Sequence, residues 1–195
     1  MRRVAPAILA AVLATGCGGP AVVNTGEPPA TSRSAEPPAA PAPVNDLRMV
    51  SAFDYVAHVD GTAGYYFTTP SGKWACAILP REKAGCQSAS GWPSAMGLPG
   101  EPDSAAGAAG DTGVPNAIVI EREGDGHFAA LEAPEFAVDP GPAKALQFDE
   151  ILVVAGFRCN VQEAGVSCMS EQSGQGFTFS SEGFQMRYTD LPPAP

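Results

Sequence analysis

Glu121, Glu123 and Asp125 alternate along the chain, Gly126 follows, and Glu132 completes a twelve-residue window. Acids at positions one, three, five and twelve with glycine at six reproduce the spacing of a calcium loop, whose carboxylates wrap a hard cation around a sharp turn. Two features oppose a metal site. Glutamate at the first and third positions is longer than the aspartate such a loop prefers. The flanks Ala117-Ile118-Val119-Ile120 and Phe128-Ala129-Ala130-Leu131 read as strands, where a calcium loop needs helices. The plainer expectation is a hairpin turn at Gly124-Asp125-Gly126, with solvated acids on the outer face and neither metal nor cofactor. His127 is the histidine with acidic company, and Glu121 with Asp125 is the acid pair open to a hydrolase.

Five cysteines form the next chemical set. Cys17 follows Leu13-Ala14-Thr15-Gly16, preceded by Arg2, Arg3 and an apolar run from Val4 to Leu13. A positive start, a short apolar run and small residues before cysteine make a lipoprotein-type signal, with cleavage expected after residue 16 and acylation of Cys17. The rival reading is an ordinary signal peptide with a chance cysteine, since Ala14 stands where such signals most often have leucine. The apolar run falls well short of the ~20 residues that span a bilayer. Cys76, Cys86, Cys159 and Cys168 remain, and in an oxidising compartment four cysteines are expected to pair. Local pairing, Cys76 with Cys86 and Cys159 with Cys168, lets each bond bracket one hairpin. A four-cysteine zinc site is the alternative, but no CxxC pair is present.

The elements that position these residues are strands. Trp74, Cys76 and Ile78 alternate onto one face, as do Phe157, Cys159 and Val161, and clusters of Gly, Pro, Ser and Asp punctuate the chain at short spacing. The expected fold is all-β, a mainly antiparallel small sheet or barrel-like domain with two disulfide-stapled hairpins that weakly echo one another. A short helix is the reading of residues 46–59, where Leu47, Val50, Phe53 and Ala57 fall at helical spacing, although Tyr55-x-Ala57-x-Val59 also fits a strand. Residues 88–113, rich in Gly, Ala, Ser and Pro, read as an irregular surface loop. Phe184-x-Met186-x-Tyr188 reads as a final strand with one apolar face. Residues 46–190 are then one domain, of a size that can build a single core.

Between signal and domain, residues 17–45 hold the acylated cysteine and a Pro/Ala-rich stretch. Seven prolines and only Val22, Val23 and Val44 as larger apolar residues cannot make a core, so the expectation is a disordered tether. A protease-sensitive tail is the rival reading. The chain carries 11 basic and 21 acidic residues. Removing residues 1–16 takes two arginines and no acid, leaving nine against 21, or −12. That charge opposes phosphate backbones and anionic headgroups, so nucleic acid is excluded as a partner and membrane affinity falls to the N-terminal lipid.

Phe67-Thr68-Thr69-Pro70-Ser71-Gly72-Lys73-Trp74-Ala75-Cys76, then Gly156-Phe157-Arg158-Cys159, Gly165-Val166-Ser167-Cys168 and Gly174-Gln175-Gly176-Phe177 resemble a family of uncharacterised exported actinobacterial proteins. The family pattern is a Phe-x-Thr/Ser-Pro-Ser-Gly-Asn-Ile-x-Cys block, followed by Gly-Val-Thr/Ser-Cys and Gly-His-Gly-Phe blocks. The resemblance covers about half of the folded region. This chain departs from it at Lys73 and Trp74 for Asn-Ile, at Gln175 for His, and at Ser181 for a common Arg. The resemblance implies export and disulfide pairing and carries no activity. Pro70-Ser71-Gly72 has turn chemistry in its own right, and a lone Ser71 without a base is structural.

Two functions remain. One is a lipid-anchored cell-envelope protein on the extracytoplasmic face of the membrane, with a non-catalytic binding domain for an unidentified envelope protein or ligand. The other is an envelope hydrolase using an acid pair such as Glu121 and Asp125. The absence of a recognisable nucleophile or metal constellation in the sequence favours the first.

Overall fold

A computed structural model describes residues 48–107 and 110–192. The signal, Cys17 and the tether lie outside the described residues. Thirteen strands and no α-helix are present among those described: β1 (Val56–Val59), β2 (Thr62–Thr68), β3 (Trp74–Leu79), β4 (Lys83–Ser88), β5 (Ala105–Gly107), β6 (Thr112–Gly113), β7 (Ala117–Glu121), β8 (His127–Ala130), β9 (Ile151–Val154), β10 (Phe157–Gln162), β11 (Gly165–Ser170), β12 (Gly176–Ser180) and β13 (Gly183–Gln185). They form two sheets in place of a barrel. The larger has eight strands in the order β1-β2-β3-β4-β7-β8-β5-β6, and the smaller has five in the order β13-β12-β11-β10-β9. Among the described residues the named strands pair antiparallel except β5 with β8, and two isolated parallel bridges join Met49 to Ile151 and Thr68 to Ala145.

The period-two pattern turns one face of each sheet toward a shared core. Trp74, Cys76, Ile78, Ile118 and Ile120 from the larger sheet join Phe157, Cys159, Val161, Phe177 and Phe179 from the smaller. Trp74 and Phe179 meet edge to face across the sheets, 5.1 Å between ring centroids. The two expected disulfides lie in this core. Cys76 pairs directly opposite Cys86 on β3 and β4, and Cys159 opposite Cys168 on β10 and β11. Both bonds are formed, each with Cα atoms 4.1 Å apart, and all four cysteines are fully buried.

The larger sheet is buried on both faces. Its outer face holds Tyr66, Ala77, Ala117 and Val119, covered by a strap of residues 131–146 whose Phe136 is fully buried. Polar ties hold the strap where no strand ladder can. Asn116 donates from Nδ2 to Leu131 O at 2.9 Å and accepts from Leu131 N at 2.7 Å. The buried Gln87 accepts from Phe136 N at 2.9 Å, and Leu146 N donates to Thr68 O at 2.9 Å. Buried polar groups are costly unless paired in this way.

Three expectations are corrected. Of residues 46–59, the described part, 48–59, makes no α-helix: a 3-10 turn at Ala52–Tyr55 leads straight into edge strand β1. The left-handed pair Asp60-Gly61 (φ 50° and 79°) turns β1 back onto β2, so β-branched Val56 and Val59 are used as strand residues. Of the described residues between 89 and 113, those at 105–107 and 112–113 form strands β5 and β6, and the irregular remainder is not merely superficial. Met96 and Leu98 enter the inter-sheet core, and Glu101 accepts from both of their amides at 3.2 and 3.0 Å. The last strand stops at Gln185, Met186 is 65 % exposed, and the chain then crosses the outer face of the smaller sheet. There the fully buried Asn160 donates to Tyr188 Oη at 2.8 Å and Thr189 O at 3.0 Å.

Candidate functional site

The acid-rich turn comes first, because its spacing is the most chemical in the sequence. It connects β7 to β8 as a hairpin, as expected from Gly124-Asp125-Gly126. Among the described residues no three His, Cys, Asp or Glu side chains converge on a metal-sized site, so Glu121, Glu123, Asp125 and Glu132 are not gathered. Extended chain is the reason: at roughly 3.3 Å per residue, the four residues of β8 put about 13 Å of strand between the turn and the segment that holds Glu132. His127 Nδ1 lies 3.0 Å from Asp125 O and 3.7 Å from a Glu121 carboxylate oxygen, in the open.

This turn instead clamps the two sheets. Arg122 Nε donates to Gln172 Oε1 and Gln172 Nε2 donates to Glu123 Oε1, both at 3.1 Å, while the buried Ser170 hydroxyl donates to Arg122 O at 2.8 Å. Gly126 permits the approach, since a Cβ there would stand 2.7 Å from Phe177 Cβ and 3.0 Å from Gly176 O.

Raised ionisations among the tyrosines follow burial. Tyr55 is pushed up to about 12 by desolvation, reinforced by the charge and hydrogen bond of Glu150. Tyr188 is also pushed up to about 12, by desolvation before all else, with Asn160 and Arg158 opposing and Asp190 adding. Both phenols therefore stay neutral where a free tyrosine ionises. Both belong to structural contacts.

Of three concave sites of similar volume among the described residues, one beside Phe136 and one beside Val114 and Leu131 adjoin the strap, and the third lies at the other end of the sandwich. The β2–β3, β10–β11 and β12–β13 turns surround a cleft of about 370 Å³. Its floor is the end of the core: Trp74, Val161, Val166 and Phe179. Phe148, 47 % exposed, adds a side wall. Thr69, Ser71, Lys73, Glu163, Ser181 and Glu182 make the rim. Ser71 is held in its turn, 3.1 Å from the Thr69 hydroxyl and 3.4 Å from the Lys73 amide that it accepts from. Lys73 Nζ stands 4.7 Å from the centroid of the Trp74 ring.

Ser71 is a turn residue and Trp74 and Phe179 are core residues, as their local sequence implies, and the fold makes the three neighbours at one opening. Lys73, Trp74 and Ser181 line this cleft, while Gln175 lies in the β11–β12 turn outside it. Phe148 had no signal: it is one exposed aromatic in an irregular segment, brought into place by Asp149 N donating to Val161 O at 2.8 Å.

The two buried disulfides mark an exported domain. Among the described residues no helix is long and apolar enough to cross a membrane. No family model, curated protein or solved structure matches the chain.

Proposed function

We propose that this protein is a lipid-anchored module on the extracytoplasmic face of the cell envelope that binds a ligand in the cleft at the end of its sandwich. The cleft is the observation that carries the reading. It combines an apolar floor with a rim of hydroxyls and charges, in the size range of small-molecule sites, about 300–1,000 Å³. It is built from turns, which can vary in sequence without disturbing the sheets, on a scaffold stapled by Cys76–Cys86 and Cys159–Cys168. The hydrolase alternative drew on Glu121 and Asp125. Glu121 ends β7 and Asp125 stands in the β7–β8 turn, which clamps the sheets, and no observation favours that alternative.

Amide-shift mapping of the labelled full chain in detergent micelles, against a set of small fragments, tests the cleft. Shifts are expected to concentrate at Lys73, Ala164, Gly165 and Ser181. Hits gathered under the strap or spread over both sheets would contradict the assignment.

A further inference from the structure

The cleft carries opposite charges on opposite walls. Lys73 stands on the β2–β3 turn of the larger sheet, whereas Glu163 and Glu182 stand on the β10–β11 and β12–β13 turns of the smaller one. All three are exposed, and among the described residues none forms an ion pair. The Lys73 ammonium is instead stationed over the Trp74 ring, a contact that favours a defined position at the rim over free movement in solvent. Between the walls lies the edge-to-face pair of Trp74 and Phe179, with Phe148 at the side.

We propose that the cleft takes a zwitterion with an apolar body, an apolar amino acid or a short peptide with free ends. The ligand carboxylate faces Lys73, its ammonium faces Glu163 and Glu182, and its side chain lies against Phe148, the exposed aromatic of the cleft. This rests on the cleft being the binding site. A ligand of both signs complements both walls at once, whereas an anion meets two carboxylates and a cation meets the ammonium. A neutral saccharide fits less well, because stacking needs an open ring face. Trp74 is only 8 % exposed, and Lys73 already occupies the space over its ring.

The test is isothermal titration of the full chain in detergent micelles with phenylalanine, the dipeptide Ala-Phe, N-acetyl-phenylalanine amide and chitobiose. At least one free-ended compound is expected to bind, with the blocked amide weaker by about tenfold or more for want of its charge-assisted hydrogen bonds. Lys73→Gln and Glu182→Gln should each weaken binding by about tenfold while the domain stays folded, Lys73→Gln losing in stability only its exposed contact with the Trp74 ring. Tighter binding of phenylalanine points to a single amino acid, and tighter binding of Ala-Phe to a peptide. No heat from either free-ended compound at about 10 mM, or equal affinity for the blocked amide, overturns the proposal. Chitobiose binding that depends on Lys73, in place of the free-ended compounds, also overturns it but leaves the cleft as the binding site. Failure of the fragments to map to the cleft removes both.

Discussion

Removing either disulfide is expected to lower the unfolding free energy by about 2–3 kcal/mol, and removing both is expected to leave a domain that is marginal or unfolded at 37 °C. The bonds close loops of sequence separation 10 and 9, and in the chain-entropy model a loop of that size contributes about 2.7 kcal/mol. A further loss comes from packing, because all four sulfurs sit in the core shared by the two sheets. Cys76→Ala/Cys86→Ala and Cys159→Ala/Cys168→Ala, each measured by urea unfolding, separate the two contributions. A midpoint within error of the parent for either double variant would show that its hairpin is held by the ladder alone.

Phe136→Ala should cost about 3–5 kcal/mol, the range for deleting a buried aromatic side chain. Phe136 is fully buried and is the plug by which the strap covers the larger sheet. Gly85 on β4 makes room for it: a Cβ at that position would clash with the Phe136 ring and stand 2.7 Å from Ile118 O. Gly85→Ala is therefore expected to cost about 1–3 kcal/mol by overpacking. The two residues share one space, so the double variant should lose less than the sum of the single losses. A double-mutant cycle from chemical unfolding reads that coupling, and strict additivity would mean that the strap does not rest on Gly85.

Much of this architecture was legible because it is local. Alternation at Trp74-x-Cys76-x-Ile78 and Phe157-x-Cys159-x-Val161 reports which face of a strand is buried. Cysteines about ten residues apart around a polar turn fall opposite each other when the turn is short. What was not legible depends on pairings distant in sequence. Helical spacing of Val50, Phe53 and Ala57 is coincidental, because Phe53 is 89 % exposed and the segment is settled by the β1–β2 ladder. The strap has no periodicity at all, and Phe136 becomes a core residue only through Gly85 and the Gln87 side chain across 49 positions. Met96 and Leu98 sit in a stretch whose composition reads as surface, yet both fill the inter-sheet core. The calcium-like spacing at Glu121 misleads for a related reason. Spacing of acids fixes a site only where the backbone curls around it, and here the chain runs straight into β8. The cleft assembles residues from three separate turns, so no single stretch of sequence announces it.

Acylation at Cys17 is the claim on which the envelope location rests, and intact mass combined with detergent phase partition measures it most directly. The account predicts that the mature chain begins at Cys17, carries the added mass of its acyl chains and enters the detergent phase, while Cys17→Ser remains in the aqueous phase with no added lipid mass. A mature chain cut elsewhere, or an unmodified Cys17 in a chain that stays in the aqueous phase, would contradict it.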